Sequence, residues 1–389
     1  MPGPGDIGPP YPVGSHADGV LTEGSKRHWQ EVRILNKRIL ADGTEEFYVT
    51  YVLFNKRLDT WLRRESLAPL HTHTEGSSEA MRSKRAEGAH AKSSVKYKKS
   101  QDDHHGHDVK EIHWIIMGDY HVKTWYASPF PDLPQGVHTL YICPICFKYH
   151  VSEAPYKRHM LKCTPRHPPG PEIYRCGNLS FFEVDGRRQK EFCRHLCLFC
   201  KLFLDHKQVE FDTDLFLFYM LCEHTPMGFR TVGYFSKELA GSTNILACIL
   251  TLPQHQKKGF GKVLIDFAYA LARKEGRFGG PEEPLSDLGK ISFQSYWKSA
   301  ILGYLYDPAS PVTQCTIKDI SNATMIQEKD VVNTLSLLNI CKRRAGGDEG
   351  GVITCPPRKV RYLQHKTEMA RLHWAPFPLM MLSTEAEVG

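Results

Sequence analysis

The sequence predicts an α+β protein in which a small all-β domain precedes a larger mixed domain, joined by a polar tether. Three observations predict it. From about Lys26 to Leu70, apolar residues alternate between hairpin signals, which suits a small barrel. Residues 71–108 are rich in Ser, His, Lys and Gly and nearly free of large apolar side chains, the composition of a linker. From Val109 to about Met381, strand-like and helix-like segments are mixed without a break.

Size and charge narrow the classes. At roughly 150 residues per domain, 389 residues suggest two or three domains. The longest clear apolar run, Leu215 to Cys222, has eight residues, well short of the ~18 of a membrane span. The start, Met1-Pro2-Gly3-Pro4-Gly5, lacks a basic stretch followed by an apolar one, so no secretory signal is expected. Twelve cysteines in a chain of this length are too few for a disulfide scaffold, and a reducing compartment is expected. Clustered cysteines are then metal ligands or catalytic thiols first. The net charge is +7, yet Arg82 to Lys99 alone holds seven basic residues and one acid. The basic character belongs to the tether.

The elements follow in order. Residues 1–25, rich in Gly and Pro with few apolar anchors, read as disordered. In the barrel, 26–70, Val32-Arg33-Ile34 alternates, Asp42-Gly43 signals a hairpin, and Phe47 to Phe54 is strand-like. Trp29, Tyr48, Tyr51, Phe54 and Trp61 either fill its core or cage a methylated lysine by cation–π attraction. Nucleic-acid contact through Lys56, Arg57, Arg63 and Arg64 is a further reading. The tether is a DNA-binding segment that works by counterion release, an import signal, or a solvated linker.

Cys143-x2-Cys146-x12-His159-x3-Cys163 has zinc-finger spacing. A knuckle supplies the first pair, and a helix presents His159 and Cys163 on one face. Four N/S ligands leave no open position, so the zinc is structural. Cys193, Cys197 and Cys200 recur at helical spacing among Leu and Phe. They read better as core than as metal ligands, because buried free Cys behaves as a small apolar residue.

Leu246 to Leu252 reads as a buried strand stopped by Pro253, and Lys262 to Glu275 as a helix capped by Gly276. Between them, Gln256-Lys257-Lys258-Gly259-Phe260-Gly261-Lys262 can present backbone N–H groups to an anion. It is not a Walker A loop, because Val263 follows Lys262, nor a dinucleotide fingerprint, because Leu264 replaces the third glycine. A Gln-x-x-Gly-x-Gly turn that holds the pyrophosphate of coenzyme A remains, beside a plain helix cap. Cys248, in the strand before it, is a candidate nucleophile or an inert buried thiol. Glu282 and Glu283, between Pro281 and Pro284, are candidate bases for an amine substrate.

Taken together these residues resemble the MYST family of lysine acetyltransferases. The resemblance runs from about Val109 to Pro376. It is carried by the zinc module continuing into Pro168 to Arg175, by Leu196 to Lys207, by Val232 to Glu238 with Ala247 to Pro253, and by Pro284 to Gly289 with Ser295-Tyr296-Trp297. Asn55-Lys56-Arg57-Leu58-Asp59-Thr60-Trp61 resembles the chromo barrel of one branch.

The resemblance implies a Gcn5-related acetyltransferase core with an N-terminal zinc finger at 141–166, an acetyl-CoA region at about 190–300 and a helical C-terminal part at 301–381. It implies Glu282 as general base and Cys248 as the family cysteine proposed to carry a transient acetyl group. Acetyl-CoA contacts fall on Ile249, Thr251, the turn Gln256 to Lys262, Ser286 and Ser295, and the autoacetylated lysine on Lys201. Lys257-Lys258 stands where relatives often have Arg-Arg, which removes the bidentate fork from the turn. Arg343 to Gly351 departs from the family's compact turn. The expected protein is a nuclear enzyme acting on histone tails within a multiprotein complex. The alternative is a catalytically weak chromatin scaffold that uses barrel, tether and finger.

Overall fold

The computed structural model describes residues 11–23, 26–40, 42–52, 54–73, 109–205, 207, 213–239, 242–307, 315–342, 352–353 and 366–376. The tether expected at 71–108 lies outside them from residue 74 on, including Arg82 to Lys99. Two compact units are present. Among the described residues, the first holds those up to His113 together with Thr124–Ser128, and the second Trp114–Lys123 and those from Pro129 on.

The first unit is a five-stranded antiparallel sheet in the order β4-β3-β2-β1-β5. Its strands are β1 (His16–Glu23), β2 (Lys26–Ile39), β3 (Glu45–Tyr51), β4 (Thr60–Arg63) and β5 (Leu67–Pro69). The barrel therefore begins ten residues before the expected boundary at 26, and residues 1–25 are not all disordered. The sequence signal was weak because β1 has few large apolar residues. Ala17 and Leu21 are nonetheless buried with Tyr11 in the core. Gly19 permits this, since a Cβ there would lie 2.8 Å from Val32 Cγ1. A second difference concerns residues 109–113, which fold with this unit rather than with the mixed domain. Lys110 is buried there, its Nζ donating to the carbonyls of Asp59 at 3.3 Å and Thr124 at 3.5 Å.

The second unit opens with a small sheet ordered β7-β6-β8-β9. It comprises β6 (Trp114–Met117), β7 (Tyr120–Lys123), β8 (Thr139–Ile142) and β9 (Tyr149–His150), followed by helix α1 (Glu153–Lys162). The main sheet is antiparallel and ordered β10-β11-β12-β13-β14. Its strands are β10 (Glu172–Cys176), β11 (Leu179–Asp185), β12 (Phe216–Thr225), β13 (Gly228–Glu238) and the short edge strand β14 (Ile249–Thr251). Helix α2 (Lys190–Lys201) buries Cys193, Cys197 and Cys200 with Leu196 and Phe199, as the apolar reading of those cysteines expects.

Helix α3 (Phe260–Glu275) buries eleven of its sixteen residues. It packs on the sheet through Phe267, whose ring stacks on Phe181 at 3.7 Å. Gly276 ends it in the left-handed conformation, as the sequence predicts. Helix α4 (Asp287–Leu305) packs on α3. There Tyr269 and Tyr296 stack, Trp297 Nε1 donates to the Tyr269 hydroxyl at 2.8 Å, and the Tyr296 hydroxyl donates to Asp266 at 3.0 Å.

Beyond α4 the chain is not wholly helical. Helices α5 (Ile317–Thr324) and α6 (Glu328–Leu337) are followed by a hairpin of β15 (Cys341–Lys342) and β16 (Val352–Ile353). The last described segment returns to the main sheet, where Leu372 bridges Tyr174 and the His373 N–H donates to the Ile173 carbonyl.

Candidate active site and metal centre

The zinc ligands converge as their spacing requires. Between β8 and β9 the chain turns through Phe147, at φ 60°, and Phe147 N–H donates to the Cys143 carbonyl at 3.0 Å. Cys163 caps α1, its N–H donating to the carbonyl of His159 one turn back at 2.8 Å. The ligand atoms of Cys143, Cys146, His159 and Cys163 all lie within 4.8 Å of one another. Cys143 Sγ is 3.7 Å from Cys163 Sγ, and Cys146 Sγ is 3.4 Å from His159 Nε2. A tetrahedron with Zn–S bonds of ~2.3 Å has edges of about 3.8 Å, slightly less where a nitrogen replaces sulfur. The donor set and its spacing therefore fit a closed zinc site.

The edge strand and the turn make the second site. Leu252 N–H donates to the Val232 carbonyl and Ser236 N–H to the Cys248 carbonyl, so residues 248 and 252 spend these groups on β13. Backbone direction alternates along a strand, so Ile249 and Thr251 aim their N–H and C=O groups at the free edge. Gln256 Nε2 donates to the Thr251 carbonyl at 3.2 Å and ties turn to strand.

Helix α3 begins at Gly259, φ 90°, with no side-chain cap. Lys257 is also left-handed, at φ 62°. Among the described residues, the backbone N–H groups of Lys257, Lys258, Gly259, Phe260 and Gly261 find no protein acceptor. They form an uncapped cationic helix start, the arrangement that binds a pyrophosphate. Gly261 leaves the approach open, since a Cβ there would stand 3.6 Å from Thr251 Oγ1 and 4.0 Å from Ser292 Oγ. Phe260 contributes only its backbone, because its ring is in the core.

The other expected contacts divide. Ser286 is the N-cap of α4, accepting from Gly289 N–H at 3.1 Å, and keeps its own proton to donate. Ser295 is half-buried on the same helix. Ser292, which the sequence did not single out, is the α4 hydroxyl beside the turn.

Cys248 is not mid-strand. Ser236 accepts from Ala247 N–H and donates to the Cys248 carbonyl, both at 2.8 Å, so two residues oppose one. That is a β-bulge, and it re-aims the thiol. The Cys248 N–H is bonded to Ser236 Oγ at 3.2 Å. The half-exposed thiol faces Lys207, with Sγ 3.8 Å from Nζ. Burial works against the Lys207 ammonium, but the neighbouring sulfurs of Cys248, Cys197 and Cys200 outweigh it and raise its pKa. Lys201 instead donates to the Asp205 carbonyl at 2.5 Å.

Glu282 is brought to the same place by backbone pairing. Pro281 bridges Leu246 in parallel, and the Glu282 N–H donates to the Leu246 carbonyl at 3.0 Å. Its carboxylate is exposed and has no partner among the described residues. Glu283 is paired with Lys329 at 3.5 Å. The two glutamates, equivalent in sequence, are thus distinct in structure.

In the barrel, Tyr48 and Tyr51 are core residues. One face of Trp61 is covered by the Arg38 guanidinium at 4.1 Å, and Trp29 stacks on His73 at 4.2 Å.

A closed Cys3His zinc site, a free strand edge leading to an uncapped basic helix start, and a thiol and an unpartnered carboxylate on paired backbone segments define a zinc-containing, acetyl-CoA-dependent acetyltransferase. Comparison with known proteins places it further. The MOZ/SAS family model matches residues 167–373, the MYST family zinc finger domain 109–163, and the model described as the RNA binding activity-knot of a chromodomain 17–69. The histone acetyltransferase mst1 of Schizosaccharomyces pombe is 47% identical over 247 residues, 63% of this chain and 53% of that protein. Histone acetyltransferase of the MYST family 2 from Arabidopsis thaliana is 38% identical over 374 residues, 89% of this chain and 82% of that protein. Histone acetyltransferase MOF of Drosophila melanogaster is 48% identical over 235 residues, 60% of this chain and 28% of that protein. The chain belongs to the MYST family of histone acetyltransferases.

Proposed function

We propose that this chain transfers the acetyl group of acetyl-CoA to a lysine amine of a histone tail, with Glu282 as general base. The observation that carries the reading is the pairing of Glu282 with Leu246, two residues before Cys248, on a carboxylate without a partner among the described residues. A free lysine amine has a pKa of ~10.4 and is mostly protonated at neutral pH. The Glu282 carboxylate takes that proton, and the freed lone pair adds to the thioester carbonyl. Collapse breaks the C–S bond, and coenzyme A leaves as a thiolate that takes up a proton. The outward N–H of Ile249 is a donor available to the oxygen that becomes negative. The turn Gln256 to Lys262 holds the pyrophosphate, and the Ile249–Thr251 edge pairs with the amides of the pantetheine arm.

A second route is favoured by one observation. The half-exposed Cys248 thiol stands 3.8 Å from the Lys207 amine, open to the thioester attack that would form an acetyl-cysteine intermediate. Histone tails suit the site because they are disordered and lysine-rich. The protein works in the nucleus, as a subunit of a larger complex, and the basic tether and barrel contact nucleic acid. A steep salt dependence of DNA affinity that disappears on deleting 82–99 tests the last point.

The deciding experiment measures acetyl transfer to mixed core histones by wild type, Glu282→Gln, Glu283→Gln and Cys248→Ala. A loss of ~10²–10⁴-fold in Glu282→Gln alone is expected for direct attack. Equal loss in a folded, acetyl-CoA-binding Cys248→Ala favours the acetyl-cysteine route. Full activity of Glu282→Gln overturns the assignment of the base.

A further inference from the structure

The loop that carries Glu282 is a hidden strand. Gly279 bridges Ile326 and Pro281 bridges Leu246, both in parallel. Gly279 N–H donates to the Met325 carbonyl at 3.3 Å, and the Gly280 carbonyl accepts from Ile245 N–H at 2.9 Å. Residues 279–282 thus lie between the segment leading to Cys248 and the segment leading into α6.

Both flanks press on glycines. A Cβ on Gly279 would lie 2.8 Å from Ile245 Cγ2 and from the Thr243 carbonyl oxygen. A Cβ on Gly280 would collide with the amide nitrogen of Gln327 and lie 3.1 Å from Asp330 Oδ2. The two directions alternate as on a strand. The wall facing Gly280 is itself a bonded pair, with Gln327 Nε2 donating to Asp330 Oδ2 at 2.7 Å. Asp330 is buried. Gln327 is the N-cap residue of α6, yet its side chain makes no cap bond and turns to Asp330 instead.

We propose that Gln327 and Asp330 are positioning residues for Glu282, holding Gly280 so that Glu282 keeps its place along the segment that leads to Cys248. This rests on the reading of Glu282 as general base. The physical need is strict, because an exposed carboxylate with no ionic partner of its own is placed only by its backbone. A displacement of 1 Å costs on the order of 10²-fold in rate. Burial pushes the Asp330 carboxyl up, so an asparagine, neutral and of the same shape, can still accept from Gln327.

The test compares Asp330→Ala, Asp330→Asn, Gln327→Ala, Glu282→Gln and the double variant Asp330→Ala/Glu282→Gln, on histones and in acetyl-CoA titrations. Asp330→Ala and Gln327→Ala should lower kcat about 10- to 100-fold, with the KM for acetyl-CoA and the binding stoichiometry per chain unchanged. Asp330→Asn should recover most of the rate. The double variant should lose no more than Glu282→Gln alone, because both act through one group. Additive losses, reduced acetyl-CoA stoichiometry or a wild-type rate in Asp330→Ala would overturn the proposal. A wild-type rate in Glu282→Gln would instead overturn the reading of the base, and this proposal with it.

Discussion

The Lys207 ammonium lies 3.8 Å from the Cys248 thiol, whereas Lys201, six residues earlier on the same stretch, is bonded to a backbone carbonyl. Lys207 is half-buried, and its amine stands where the proposed reaction handles the acetyl group. The geometry therefore predicts autoacetylation on Lys207, where the resemblance implies Lys201. Peptide mass spectrometry after incubation with acetyl-CoA should find acetyl on Lys207 and none on Lys201. Acetyl on Lys201 alone would reverse the assignment.

The four metal ligands predict a fold that depends on zinc. Cys163→Ala removes the ligand that caps α1, and His159→Ala the one a turn earlier. Either variant should purify with little zinc and melt well below wild type, because structural zinc contributes directly to folding. Metal analysis and a thermal scan read both effects. Retained zinc with an unchanged melt would contradict the closed site.

The Gly-rich turn, read as the pyrophosphate site, predicts separable effects. Gly259 is at φ 90°, so Gly259→Ala places a Cβ in a conformation that costs ~1–2 kcal/mol. Lys257→Ala and Lys258→Ala remove charge but no backbone donor. All three should raise the KM for acetyl-CoA, with smaller changes in kcat. The lysine effects should shrink in high salt because those side chains are exposed. A salt-independent effect at both lysines would argue for a structural role.

His255 predicts a pH dependence of stability. Its imidazole is buried just before the turn, with Nδ1 unpartnered. Burial, aided by the cations of Arg230 and Lys258, lowers its pKa to about 4. In the unfolded chain it titrates near ~6.5. Between these values the unfolded state binds the extra proton, so stability is full above ~6.5 and is lost as pH falls toward 4. Urea unfolding at pH 7.5 and 5.5 should show a smaller loss for His255→Gln than for wild type. Equal losses would remove His255 from the account.

Much of this site was legible because it is local. The zinc spacing places its ligands through one knuckle and one helix turn. The turn between Leu252 and α3 is a continuous stretch whose glycines reveal the left-handed start. What was missed is non-local. The bulge at Cys248 depends on Ser236, twelve residues away on another strand. Ser292 and Lys207 matter through what lies across from them. The first barrel strand went unread because Ala17 and Leu21 become core only once β2 pairs with them.

From the sequence alone came the family, the metal ligands, the Gly-rich turn before α3 and the short list of candidate chemical groups, since each is written in residue types at short spacing. Tertiary structure separated Glu282 from Glu283 and Lys207 from Lys201, and joined α6 to the loop of the two glutamates. Those distinctions rest on which partner a side chain meets across the fold. Lys329 meets Glu283 and leaves Glu282 free only because α6, more than forty residues downstream, folds back against the loop.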